Sequence, residues 1–376
     1  MSLNVVHVIR QYYPSVGGME DVVRNIASCQ QASRRQNASI VTLNRLFRNS
    51  DELLAADDVV DGVPVTRLPY QGSSRYPLCP SVLSKIDRAD VVHVHGVDFF
   101  FDYLALTRLM HRRPLLVSTH GGFFHTEFAS RLKELWFNTI TRASSFAYDR
   151  IVATSENDGR RFRDIVPESR LEVIENGVNT DKYADKGCRE LNRTLIYFGR
   201  WSSNKGLLEA LNLMQALRRQ DPRWQLIIAG REYDFNLQML DQEVGRRGLT
   251  GGAVILEASP SDQRLSELIG QAAWFLCLSR HEGFGLAAIE AMSAGLTPVL
   301  SDIPPFRKLT EASGVGIAAD ATSPETLVAP LQGLYEQGQA AHEERRERAM
   351  AFARQYSWPR IADRYIQLYE TLGESR

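Results

Sequence analysis

Apolar and polar positions follow two alternating patterns along this chain. Short runs with little polar interruption, Val5–Ile9, Ser39–Leu43, Pro64–Leu68, Val91–His95, Leu115–Thr119 and Arg150–Thr154, recur through its first half. Such runs predict strands covered on both faces, the habit of parallel sheets. Between several of them the apolar residues fall at helical spacing, as in Val22-Val23-x-x-Ile26-Ala27. The second half repeats the alternation with Thr194–Phe198, Gln225–Ala229, Ala253–Leu256, Ala273–Leu278, Thr297–Leu300 and Val315–Ala318. A helix is predicted after the first of these, with Leu207, Leu208, Leu211, Met214 and Leu217 on one face. Strands alternating with helices make this an α/β protein with largely parallel sheets, and ligands of such sheets bind beyond the carboxyl ends of the strands.

At 376 residues the chain exceeds one ordinary core, so two domains are expected. The Asn176-Gly177 turn and a polar, aperiodic stretch from Tyr183 to Arg193 place the expected boundary, dividing 1–182 from 183–355. A last helix, 356–376, opens at Tyr356-Ser357-Trp358. A net charge of −1 argues against a nucleic-acid partner, and no apolar run is long enough to span a bilayer. Cys29, Cys79, Cys188 and Cys277 are scattered without metal-site spacing, and no signal peptide is evident, so a cytoplasmic protein with free thiols is expected.

The most informative stretch is His281-Glu282-Gly283-Phe284-Gly285-Leu286-Ala287-Ala288-Ile289-Glu290-Ala291-Met292, which follows a predicted strand. Strand, glycine turn and helix together aim backbone N–H groups and a positive dipole end at an anion. Glu282 and Glu290 frame that turn, and carboxylates there repel phosphate but accept hydrogen bonds from sugar hydroxyls. A sugar–phosphate ligand is the expectation. Upstream, Gly199-Arg200-Trp201-Ser202-Ser203-Asn204-Lys205-Gly206 joins a strand to a helix, and its two cations suit a diphosphate. Gly17-Gly18 sits at the first strand-to-helix turn, and His95 and His120 end strands of the first half. His93, inside a strand, reads as structural.

Glu282 and Glu290 with seven residues between them, and Gly-Phe-Gly inside, resemble the E-x7-E motif of retaining glycosyltransferases of the GT-B fold, family 4. Asn-Gly-Val at 176–178, His120-Gly121 and Arg200…Lys205 resemble further motifs of that family in the same order. The resemblance implies two Rossmann-like domains with largely parallel sheets facing across a cleft, and a last helix crossing back onto the first domain. It implies that His120 contacts the transferred sugar and that Glu282 favours the cationic sugar of the transition state. Arg200, Lys205, Gly17, Gly18 and the backbone of Gly283, Phe284, Gly285 and Leu286 would hold the donor diphosphate. Glu290 would bind the ribose, the backbone at Ala258-Ser259-Pro260 would surround the nucleobase, and His95 is a candidate for the acceptor side. No metal or other cofactor is expected, since no Asp-x-Asp motif is present and the cations supply the positive charge.

Within the family the resemblance is to bacterial exopolysaccharide mannosyltransferases, carried by His93-Val94-His95-Gly96 and Ser118-Thr119-His120-Gly121-Gly122-Phe123-Phe124-His125. It implies GDP-mannose as donor, a polyprenyl-diphosphate-linked oligosaccharide as acceptor and peripheral contact with the inner face of the cytoplasmic membrane. Arg112, Arg113, Phe123, Phe124 and a predicted amphipathic helix, Arg131–Tyr148, supply a basic and aromatic surface for that contact. A UDP-sugar transferase and a sugar-nucleotide epimerase of the same fold are the alternatives. A dinucleotide-dependent oxidoreductase is disfavoured because Gly-x-Gly-x-x-Gly is missing after the first strand.

Overall fold

The computed structural model of this protein describes residues 2–47, 49–74, 76–121 and 134–374. Gly122, Phe123, Phe124, His125 and the start of the helix expected from Arg131 lie outside the described residues. The chain divides into two compact units, Met1–Gly177 with Trp358–Arg376, and Val178–Ser357.

In the first unit, β1 (Leu3–Ile9), β2 (Gln36–Leu43), β5 (Asp57–Val60), β6 (Val63–Leu68), β9 (Val91–His95), β10 (Leu115–Ser118), β11 (Arg150–Ala153) and β12 (Leu171–Val173) form one sheet. Its order is β12-β11-β10-β9-β1-β2-β6-β5. Every pairing is parallel except that of β5 with β6. Two short hairpins, β3 with β4 (Arg45–Leu46, Asn49–Leu53) and β7 with β8 (Gln71–Ser73, Tyr76–Leu78), stand apart from it. The strand order turns back between β1 and β9, where the parallel register sets His7 beside His93 and Ile9 beside His95.

One face of the first sheet is covered by the final helix, Trp358–Glu374, which buries Ile361, Ala362, Tyr365, Ile366, Tyr369 and Leu372. That spacing gives the helix a single apolar stripe, and the stripe packs with Val5, Val91 and Leu116 in one core cluster.

The second unit carries β13 (Thr194–Phe198), β14 (Gln225–Gly230), β15 (Val254–Ala258), β16 (Trp274–Cys277), β17 (Thr297–Ser301) and β18 (Ile317–Ala319). Their order, β15-β14-β13-β16-β17-β18, is fully parallel and reverses direction between β13 and β16. Trp201, Trp224, Trp274, Phe275 and Phe306 are wholly buried around it, each contributing about 2–3 kcal/mol of transfer free energy.

The boundary falls after Gly177, earlier than residue 182, because the polar stretch beyond it packs on the second unit. Tyr183 is buried in that core, and Arg346 donates to the Gly187 carbonyl at 3.0 Å and to Asp185 at 2.6 Å. The described part of the helical stretch before Tyr148 presents several of its large apolar residues outward. Phe137, Thr141 and Ser145 are buried, whereas Leu135, Trp136 and Ile140 face out.

Candidate active site

The reversal of strand order between β13 and β16 opens a crevice at their carboxyl ends, the usual ligand position in such sheets. The loops that leave these two strands carry the Arg200–Lys205 segment and the Glu282–Gly285 turn. They are clasped together. Arg280 N donates to Asn204 O at 2.8 Å, and Arg280 also pairs with Glu209 at 2.6 Å. Gly206, at φ +70°, makes the close approach feasible, since a Cβ there would lie 2.0 Å from the Leu278 carbonyl oxygen.

At the centre of the clasp Lys205 Nζ meets Glu282 Oε1 at 2.6 Å, with both side chains largely buried. Ser279 Oγ donates to the same carboxylate oxygen at 2.8 Å, and Ser301 Oγ fixes the Ser279 carbonyl at 2.5 Å. The sequence brought Lys205 and Glu282 to one site but not to one ion pair. An ammonium has three donors, so Lys205 keeps two for an anionic ligand while the carboxylate holds the third. Arg200 is exposed, its guanidinium 5.5 Å from the Tyr233 ring centroid, and has no ion-pair partner among the described residues.

Gly285 adopts φ +91° at the start of the helix Leu286–Ser293, whose N-terminus has no side-chain cap. Its first N–H groups are therefore available to an anion. Gly283 opens on free space within 4 Å, and Phe284 packs against Tyr356 at 5.2 Å between centroids. Glu290, one turn into the helix, is half-buried near Lys182, Tyr183 and Asp262. Lys182 itself pairs with Asp262 at 2.8 Å. Ser259, in the segment expected near a nucleobase, has φ +49° and donates its N–H to the Gly230 carbonyl at 2.7 Å.

Burial raises the Glu290 carboxyl above its usual range, with Lys182 pulling it down and Asp262 pushing it up. A carboxyl whose folded pKa is raised adds stability at low pH that is lost as pH rises through the folded value. Glu290→Gln should therefore raise the melting temperature, with a larger gain at about pH 8 than near ~pH 4. Melting curves at the two pH values check it, and an equal or reversed gain would refute the reading.

In the first unit, Gly17 precedes the helix Gly18–Ser33, which has no side-chain cap, and a Cβ on Gly18 would meet nothing within 4 Å. A Cβ on Gly17 would lie 2.6 Å from Glu20 Oε2, so a carboxylate stands over the turn and the free space is at Gly18. His120 follows β10 in the left-handed region at φ +52°, a strain of about 1–3 kcal/mol for a non-glycine residue. Thr119 holds it there, donating from Oγ1 to Asp158 at 3.0 Å and from N to the Val152 carbonyl at 3.0 Å. His120 is half-buried, and its Nε2 lies 3.0 Å from His95 Nδ1. His95, expected on the acceptor side, is 1% exposed and stands behind His120. His93 is structural, bonded to Tyr369 Oη at 2.7 Å and Ser118 Oγ at 2.8 Å.

Residues 16–182 match the family described as Glycosyltransferase Family 4, and residues 180–355 the one described as Glycosyl transferases group 1. The GDP-mannose:cellobiosyl-diphosphopolyprenol alpha-mannosyltransferase of Xanthomonas campestris is 52% identical over 375 residues, spanning 100% of this chain and 98% of its own. The chain belongs to glycosyltransferase family 4. This family 4 glycosyltransferase is also 42% identical to the enzyme of the same name from Komagataeibacter xylinus, over 98% of this chain and 93% of that one.

Solved structures agree on the fold of this glycosyltransferase. A glycosyltransferase from Rickettsia africae ESF-5 superposes with a TM-score of 0.74 at 15% identity, covering 99% of this chain and 98% of its own. Sucrose-phosphate synthase from Thermosynechococcus elongatus gives 0.68 at 16% identity, with 100% of both chains covered. The glycosyltransferase has the GT-B fold, with a Rossmann-like, largely parallel sheet in each unit.

Sequence reasoning missed Ser279, Lys182 and Tyr183. Ser279 lies three residues before Glu282, at a spacing that a serine in any turn shares. Tyr183 opened the stretch read as linker and Lys182 lay just before it, and no local pattern linked either to Glu290.

Proposed function

We propose that this enzyme transfers mannose, with retention at the anomeric carbon, from GDP-mannose to a cellobiosyl-diphosphopolyprenol. The observation that carries the reading is 52% identity along the full length to an enzyme of that name. The crevice of the second unit supports the chemistry.

Cleavage of the donor leaves negative charge on the nucleoside diphosphate and positive charge on the sugar. Arg200, the two remaining donors of Lys205 and the N–H groups at Leu286 neutralise the leaving group, an electrostatic contribution realised most fully in the transition state. Glu282, oriented by Lys205 and Ser279, favours the cationic sugar and accepts from its hydroxyls. Glu290 takes the ribose hydroxyls, Gly17 and Gly18 offer backbone to the diphosphate, and His120 meets the transferred sugar. On this reading the departing phosphate oxygen takes the acceptor's proton on the face it leaves, which gives retention. The cations do the work of a divalent ion, so the rate persists in excess chelator.

A lipid-linked acceptor calls for contact with a membrane surface. Among the described residues no helix is long and apolar enough to cross a membrane. Leu106, Leu109 and Met110 are 83%, 87% and 75% exposed, and Leu135, Trp136, Ile140 and Phe146 are exposed on the same unit. Arg112 is exposed next to the first group, while Arg113 is engaged with the Ala89 carbonyl and Asp87. Exposed apolar side chains beside a cation suit peripheral insertion at an anionic leaflet. Salt-insensitive or absent binding to anionic vesicles would exclude this surface.

The donor assignment is tested by thermal shift. GDP is expected to raise the melting temperature more than UDP at equal concentration, since stabilisation follows RT ln(1 + [L]/Kd). A larger shift with UDP would overturn the choice of donor.

A further inference from the structure

We propose that a hydrogen-bonded chain starting at a main-chain carbonyl of the final helix locks His120 as its Nε2–H tautomer, so that Nδ1 accepts a hydrogen bond from a sugar hydroxyl. The inference deepens the reading of His120 as a sugar contact and rests on it for the identity of the partner. The tautomer itself does not.

The chain can be followed link by link. Gln36 Nε2 donates to the Ile366 carbonyl at 3.0 Å. Gln36 Oε1 accepts from Gln30 Nε2 at 2.9 Å. Gln30 Oε1 lies 2.6 Å from His7 Nε2, His7 Nδ1 lies 3.0 Å from His95 Nε2, and His95 Nδ1 lies 3.0 Å from His120 Nε2. Gln30, Gln36, His7 and His95 are all buried.

A carbonyl oxygen only accepts, and this one stands at the end of the chain. It forces the Gln36 amide to point its NH2 group outward to Ile366 and its oxygen toward Gln30. Gln30 must then donate to Gln36 and turn its own oxygen to His7. His7 therefore carries its proton on Nε2. Burial pulls His7 and His120 down to about 4 and His95 well below its usual value, so all three are neutral near pH 7. A neutral imidazole has one donor and one acceptor. His7 Nδ1 then accepts from His95 Nε2–H, and His95 Nδ1 accepts from His120 Nε2–H. The last nitrogen, Nδ1 of half-buried His120, is left with a lone pair.

That polarity has a chemical consequence. An Nδ1 lone pair recognises a hydroxyl proton and repels a phosphate or ring oxygen. His120 thus selects a sugar group that donates, while Gln30, Gln36, His7 and His95 act as positioning residues. Ligand atoms of His7, His93 and His95 lie within 4.8 Å of one another, close enough to gather round a cation. Each of their ring nitrogens already has a protein partner, however, which favours the polar chain over a metal site.

The test is imidazole 15N NMR of the histidine-labelled enzyme at neutral pH without substrate, with His120 assigned from the peaks lost in His120→Ala. The expected spectrum has His120 protonated at Nε2, and a proton on Nδ1 overturns the proposal. Gln30→Met removes the acceptor that orients His7, so His120 should become a mixture of tautomers. Its kcat should fall about tenfold, the effect of one hydrogen bond lost in the transition state, with a smaller change in KM for GDP-mannose. Gln30→Glu as its neutral acid donates to Gln36 and accepts from His7 Nε2–H, so below the pH at which that buried carboxyl ionises it should restore both the tautomer and the rate to within about twofold. A wild-type spectrum and rate in Gln30→Met would also overturn the proposal, and if that variant does not fold the wild-type spectrum decides alone. The spectra need no donor, so a failed GDP-mannose assignment leaves their outcome distinct.

Discussion

Lys205→Ala is expected to lower mannosyl transfer by about a hundredfold or more, the scale seen when one charge-stabilising donor is removed from a transition state. Two effects add. The leaving diphosphate loses a cation, and Glu282 loses the partner 2.6 Å away that orients it. Loss of a solvated loop lysine would ordinarily leave stability almost untouched. The pair is instead largely buried, and Ser279 alone remains to Glu282 in the variant. A stability cost of about 1–3 kcal/mol is therefore expected as well, since a half-desolvated carboxylate is left short of partners. Rate measurements on the folded fraction, with urea melts alongside, separate the two effects. A folded Lys205→Ala variant with near-normal turnover would remove Lys205 from the mechanism.

Gly206→Ala should be more damaging to the fold. The added methyl would sit 2.0 Å from the Leu278 carbonyl oxygen and 2.5 Å from its carbon, with φ at +70°. Neither atom belongs to a flexible side chain, so one of the two loops must move. A destabilisation of about 4 kcal/mol or more is expected, at the exceptional end for single substitutions. Activity should vanish with it, because the loops parted are those that bring Lys205 to Glu282. Gly245→Ala is the control. A Cβ there meets nothing within 4 Å in the helix Leu237–Arg246, and the change should leave stability equal or raise it by up to about 1 kcal/mol. Equal melting temperatures for Gly206→Ala and the wild type would contradict the packing account.

The parallel sheets were legible because strands covered on both faces leave uninterrupted apolar runs, and Thr194–Phe198 and Val91–His95 matched the structure to the residue. The edge strand Asp57–Val60 and the hairpins at 45–53 and 71–78 were not predicted. Half-exposed strands mix polar residues into the pattern and depend on their partner for definition. In the site, residues that announce themselves through glycine turns and charge, Gly283, Gly285, Arg200 and Lys205, were readable. Their pairing was not, since Lys205 and Glu282 lie far apart in sequence and only the strand order joins their loops. The chain behind His120 was hidden for a similar reason. Gln30 and Gln36 look like solvated glutamines on a helix end and a strand start, and they become buried only when the final helix covers them.

The central claim is mannosyl transfer from GDP-mannose to a lipid-linked disaccharide. The measurement that tests it most directly is incubation of the purified enzyme with radiolabelled GDP-mannose and cellobiosyl-diphosphopolyprenol, with product lipid and released GDP quantified together. The account predicts equal amounts of mannosylated lipid and GDP, a product cleaved by an α-mannosidase, and an unchanged rate in excess chelator. Label that stays on GDP-mannose, while a UDP-sugar is turned over onto the same or another acceptor, would contradict it.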